Sequence, residues 1–405
     1  MATTAIDQGF DPFDSEQRAD PFPAYRVLLE QAPVWWNEKF GEWVFSRYAD
    51  CEAILRDPRW SSNPEHLEHR VELGAMDMRA AMRDVDAGVL LFMDPPDHTR
   101  LRRLVSQAFT PRSVERLRPR IQELVDGILD EMASEGEVDL MSTLAYPLPV
   151  TVICEMLGVP VQDRALFGPW SSDASRLLDG DVDMEVANRG VLAVMQLINY
   201  LNDLFEERRR QPRDDLLSAL IAAEAAGDKL NEAELRSVVV LLFIAGHETT
   251  MNLIGNGTLA LLRNPDQLGR LRHGPALDAT GVEELLRYDG PVHFTARVAT
   301  EDLEVGGQRV PKGWQAVTLL AAANRDPARF PDPDRLDLGR PDNHHLTFSG
   351  GVHYCLGAAL ARVEGQVAIG SLVRRFPELA LADPDPPYRD HVVLRGLQEL
   401  RLSLN

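Results

Sequence analysis

Cysteine is scarce in this 405-residue chain: three residues, Cys51, Cys154 and Cys355, lie far apart. So few and so scattered, they exclude a disulfide framework and make a reducing cytoplasm the expected setting. Positive charge is also short, with 42 Lys and Arg against 63 Asp and Glu, a net charge of −21. Nucleic acid is a poor partner for so acidic a chain. The first residues, MATTAIDQGFDPFD, have neither a basic n-region nor an apolar core, so neither signal peptide nor anchor is expected. The most apolar run, VVVLLFIAG at 238–246, is shorter than the ~20 residues a bilayer span needs, so no membrane partner is expected. Repeats, low-complexity tracts and flexible linkers are missing too.

Hydrophobic residues make up 44% and charged residues 26% of the chain, as in a soluble protein with a substantial core. Apolar residues recur at helical spacing in RSVERLRPRIQELVDGILDEMAS, VLAVMQLINYLNDLFEERRR and DDLLSALIAAEAAG. Strand signals are few: WVFSRY near residue 43, then FTARVA, LEV, RV and QAVTLL between Phe294 and Leu320, separated by Gly306–Gly307 and Pro311–Lys312–Gly313 turns. The expectation is one domain over residues 1–405, mainly α with a small β portion.

FSGGVHYCLGAALAR, 348–362, sets Cys355 between a glycine-rich loop and an apolar helical pattern. A thiol near a helix N-terminus is expected to favour the thiolate, which binds a metal or attacks an electrophile. A second helix runs from a capping box at Asn231 and Glu234 to Asn264, before Pro265. Its centre reads Ala245, Gly246, His247, Glu248, Thr249, Thr250. Glycine and β-branched residues weaken a helix and a buried Glu is expensive, so this is either an exposed turn or a gap for a small ligand beside a proton-passing acid and hydroxyl. In EELLRY, Glu284 and Arg287 share a helical face, which alone is no more than a common surface pair; in FMDPPDHTRLRR, His98 and Arg102 do so and either suit an anion or form a solvated basic face.

A hydrolase pairing Cys355 with His353 is disfavoured, because residues two apart near a helix start do not readily bring imidazole to sulfur. A zinc site lacks clustered ligands.

Together the four stretches resemble one family, the haem-thiolate monooxygenases or cytochrome P-450s, of soluble bacterial type. FSGGVHYCLG is similar to its cysteine loop, AGHETT to its oxygen-binding helix motif and ELLR to its E-x-x-R pair, in the family's order. The resemblance implies a P-450 fold holding haem b, iron protoporphyrin IX, between the long central helix and the cysteine helix. It implies Cys355 as the axial thiolate and His98, Arg102, Arg297 and His353 as partners of the propionates. Glu248 and Thr249 are implied in proton delivery to dioxygen, and Glu284 and Arg287, joined by Arg335, in bracing the cysteine-loop region. The implied activity is hydroxylation, or another oxidation, of an apolar medium-to-large organic substrate with two external electrons. A peroxygenase, or an oxidase making a desaturation, a ring or a C–C bond, is the alternative within the class, and a haem sensor without turnover the one outside it.

Leu241, Ile244, Ala245, Val292, His293 and Phe294 are the expected pocket walls, with His293 a polar handle or a satisfied structural residue, and residues 70–91 the roof. Electrons must be borrowed, and a separate ferredoxin with its reductase is the expected source. The segment 100–120, with seven arginines against Glu115, is the expected dock on one helix face, through Arg103, Arg112 and Arg116, the alternative being a basic face balanced by local acids.

Overall fold

The computed structural model describes residues 11, 14–69, 88–179, 183–225 and 231–404. Its spine is the helix Glu232–Leu262, opened by the expected capping box: Asn231 Oδ1 accepts the Glu234 N–H at 2.8 Å and Glu234 Oε2 accepts the Asn231 N–H at 2.9 Å. It is long and apolar enough to cross a membrane, but 72% of its apolar window is buried inside the protein, which makes it a core helix. Against it pack Pro147–Leu157, Arg164–Ser175, Met184–Arg210, Asp278–Tyr288 and the cysteine helix Ala358–Arg375. All of these but Asp278–Tyr288, together with Arg118–Met132, share one large apolar cluster that includes Val125, Leu148, Phe167, Leu197, Phe243 and Leu360, while Asp278–Tyr288 meets the central and cysteine helices in a second, through Leu285, Leu253 and Ile369.

A five-stranded sheet lies to one side, in the order Val34–Asn37, Glu42–Phe45, Gln315–Leu319, Phe294–Ala299, Trp60–Ser61. Glu42–Phe45 and Gln315–Leu319 run parallel and the remaining pairs antiparallel. The two glycine turns expected near it are present, with φ of +60° and +76° at Gly306 and Gly307 and +77° at Gly313. A three-stranded sheet joins Glu137–Asp139, Arg401–Ser403 and Ala380–Leu381.

The basic segment is not one helix. It breaks into Asp97–Ser106, Pro111–Glu115 and Arg118–Met132, because Thr110 caps a new start at the Ser113 N–H and Pro119 requires another. The central helix ends two residues before the expected Asn264. Most of the expected pocket roof, residues 70–87, lies outside the described residues.

Candidate active site

Cys355 closes a tight loop. Its N–H donates to Phe348 O at 2.9 Å, across a turn in which Ser349 and Gly351 have φ of +59° and +63°. A Cβ on Gly351 would lie 2.3 Å from Leu55 O, so only glycine lets the loop seat against that backbone. Cys355 is exposed, yet protein surrounds its thiol, which therefore faces a space within the fold. Burial pushes its pKa up, while the Gly357 and Ala358 N–H groups and the Arg102 and Arg362 guanidiniums pull it down. Burial is the largest of these effects, and the helix terminus and the two guanidiniums oppose it, as expected of a site that favours the thiolate. Beside it, a Cβ on Gly357 would meet nothing within 4 Å.

Two imidazoles and two guanidiniums converge next to the loop. His98 is 1% exposed and its ring lies 4.2 Å, centroid to centroid, from that of His353. Among the described residues neither nitrogen of His98, nor Nε2 of His353, has a hydrogen-bond partner. Burial, then Arg297, His98 and Arg102, push His353 down to about 3. Burial likewise brings Arg297 down to about 10, and among the described residues its guanidinium donates only to Thr295 Oγ1 and Ala296 O. Arg102 donates to Tyr354 O, linking this cluster to the cysteine loop. Buried donors depressing one another's charge form a cradle for a dianion. Elsewhere among the described residues, no three His, Cys, Asp or Glu side chains converge as a metal site.

The central helix presents a different face. Ala245 is exposed and Leu241, Ile244 and Thr249 are half-buried, although the helix is otherwise largely sealed. Thr249 Oγ1 donates to Ala245 O at 3.0 Å. Gly246 does not supply the expected gap: a Cβ there would meet Ile153 at 3.3 Å, so the glycine serves a close approach between helices. Glu248 turns away from this face and pairs with Arg389 at 2.9 Å.

Comparison with known proteins bears on these features. The family profile for Cytochrome P450 matches residues 184–402. Vitamin D(3) 25-hydroxylase of Pseudonocardia autotrophica is 43% identical, over 100% of this chain and 98% of that protein. The 6-deoxyerythronolide B hydroxylase of Saccharopolyspora erythraea is 40% identical over 100% of both. The crystal structure of P450BioI in complex with hexadec-9Z-enoic acid ligated acyl carrier protein superposes with a TM-score of 0.89 at 38% identity, covering 96% of this chain and 100% of that one. The chain belongs to the cytochrome P450 family.

P450s use haem b with a cysteine thiolate as axial ligand, and the donor set fits it: one soft sulfur facing an interior space and, beside it, a cationic cradle for two carboxylates. In this P450, Glu284 and Arg287 are both fully buried and joined twice at 2.8 Å. Arg335 is not the third member: it offers only its carbonyl, to Arg287 at 3.2 Å. The chain turns back after it, and Arg340 Nε meets Glu284 at 3.1 Å, with the Asp337 N–H and Asn343 Nδ2 also donating to that carboxylate. His293 is 4% exposed and its Nδ1 sits 2.9 Å from the Tyr25 hydroxyl, which ties it to a structural cluster, while its Nε2 has no partner among the described residues. Val292 and Phe294 remain half-buried. Sequence reasoning missed Arg340, Asn343 and Arg389, none of which lies in a recognisable motif.

Proposed function

We propose that this P450 monooxygenase is a single-domain, cytoplasmic enzyme that hydroxylates an apolar, medium-to-large organic compound. Cys355 holds the haem iron, and His98, Arg102, Arg297 and His353 hold its propionates. The bound haem supplies the redox chemistry, activation of dioxygen, which an electron-rich sulfur ligand assists. Leu241, Ile244, Ala245, Val292 and Phe294 orient the substrate and exclude water. Thr249 passes protons at its Oγ1 and Glu248 resupplies them. The observation that carries this reading is the cluster of buried imidazole nitrogens without partners beside Arg102, Arg297 and the Cys355 loop.

In the carbon-monoxide test, reduced protein shows the long-wavelength Soret band of thiolate ligation. Cys355→Ala abolishes it, while Cys51→Ala and Cys154→Ala keep it; a normal band in Cys355→Ala overturns the assignment. Relatives named for vitamin D(3) and 6-deoxyerythronolide B support the substrate class. A compound panel scored by the blue shift of the ferric Soret band tests it, and shifts by small charged molecules alone would refute it.

Electrons come from a ferredoxin and its reductase, docking over the cysteine loop. Of the expected basic face, Arg100 pairs with Glu234, Arg118 with Glu115 and Arg120 with Glu155. Arg103, Arg112 and Arg116 are exposed, and the short helix Pro111–Glu115 packs on the cysteine helix. Val352 and Tyr354, 49% and 41% exposed, offer an apolar centre for the contact.

A further inference from the structure

Glu248 and Thr249 are neighbours in sequence, yet successive residues of a helix diverge by about 100°. The Glu248 carboxylate is 2% exposed, and one nitrogen, Arg389 Nη1, lies 2.9 and 3.3 Å from its two oxygens. The other titratable groups whose charge is felt there are His247 and Tyr146. His247 is fixed in place, with Ser171 Oγ 2.8 Å from Nε2 and Phe243 O 2.9 Å from Nδ1. The acid therefore rests on the side of the helix away from Thr249, paired among the described residues with one cation.

That cation comes from the C-terminal segment and is one-quarter exposed. It lines a cleft of about 400 Å³, its open mouth included, together with Gln17, Arg18, Tyr25, Tyr388 and His391. The backbone behind Arg389 is anchored. Its N–H donates to Gly396 O at 2.9 Å, Asp390 pairs with Arg18 at 2.6 Å, and the Val392 and Val393 N–H groups both donate to Asp179 Oδ1 at 2.9 Å. A fixed backbone with a side chain reaching from a solvent cleft to a buried carboxylate is built to hold one group in one place.

We propose that Arg389 is a positioning residue of the proton relay: it holds Glu248 at the inner end of this cleft, where solvent reloads it. The inference rests on the reading of Glu248 as the acid serving Thr249. A proton from bulk solvent, relayed by cleft water that is left as water, binds a Glu248 oxygen, and the neutral carboxyl loses its attraction to Arg389. It rotates toward Thr249 and gives that proton to Oγ1, whose own proton moves on into the cavity. Charged again, the carboxylate returns to Arg389. One proton enters, one leaves, and nothing on the chain is oxidised or reduced.

The test compares Arg389→Gln, Arg389→Lys and Glu248→Gln in the haem-loaded protein. Removing the guanidinium leaves a buried carboxylate without a counter-charge, which takes up a proton instead. The infrared spectrum of ferric Arg389→Gln at neutral pH gains a neutral carboxylic-acid band that the double variant with Glu248→Gln lacks. Reductase-driven kcat and product per electron fall on the order of tenfold at unchanged KM, with the missing electrons recovered as hydrogen peroxide. Arg389→Lys, keeping the charge, restores most of the loss, and Arg389→Met replaces the glutamine variant if that one does not accumulate. Wild-type product per electron in Arg389→Gln, with or without the band, overturns the inference, as does a change confined to KM or a lysine variant no better than glutamine. If Glu248→Gln itself keeps full coupling, the reading of Glu248 as the acid fails; if it uncouples and Arg389→Gln does not, only the role of Arg389 fails.

Discussion

Cys355 is a thiol that its own surroundings pull in two directions. Burial pushes it up, and two N–H groups and two guanidiniums do not offset that. Thr249 poses the complementary case, a hydroxyl bonded to its own helix at Ala245 O and open on its other side. Thr249→Ala keeps haem and substrate binding, and product per electron falls at least tenfold as peroxide takes the balance. Simultaneous assay of product and peroxide checks this, and unchanged coupling would route the protons elsewhere. Residues of this kind were legible because the loop and helix that hold them are local, so fixed spacing survives in sequence. Arg389 was not legible, since it reaches Glu248 across 141 positions. The mistaken Arg335 shows the same limit at short range: Arg340, five residues on, takes the carboxylate after a turn that no motif announces.

Elements add what residues lack, a rigid frame. Glu283, on the helix Asp278–Tyr288, takes both ends of the Arg362 guanidinium of the cysteine helix at 2.6 and 2.9 Å, with His345 at 3.3 Å. Burial alone would raise the Glu283 pKa, but the bonds from His345 and Arg362 outweigh it and hold it down at about 2. Burial lowers His345 in spite of the carboxylate, so Arg362 carries the charge. A depressed carboxylate gives stability that is complete above its ordinary value of 4.5 and is lost as pH falls toward 2. Glu283→Gln therefore lowers Tm at pH 7 and converges with the unaltered protein near pH 2, which thermal unfolding across that window measures. Equal pH dependence in both would show that the clamp adds nothing to stability. The long helices were readable from apolar period, whereas strands of two or three residues, such as Trp60–Ser61 and Arg401–Ser403, carry too short a pattern to see. The basic segment misled for another reason: its helical period runs through two breaks that Thr110 and Pro119 impose.

At the scale of the whole molecule, a net charge of −21 repels an acidic partner almost everywhere, which makes a local basic surface effective at steering. Arg112→Glu with Arg116→Glu slows reduction by an acidic ferredoxin about tenfold at low salt, and the difference shrinks as salt rises. Stopped-flow reduction at two ionic strengths checks this, with peroxide-driven turnover unchanged as the control. Equal rates at both would place the dock elsewhere. The Glu284 cage has a consequence for how the protein is made. Its carboxylate is closed by Arg287, Asp337, Arg340 and Asn343, and the thiol loop follows still later in the chain. A ribosome must therefore release nearly the full polypeptide before any pocket for the cofactor can exist. Haem capture is an event of the nearly complete chain, after synthesis rather than during it.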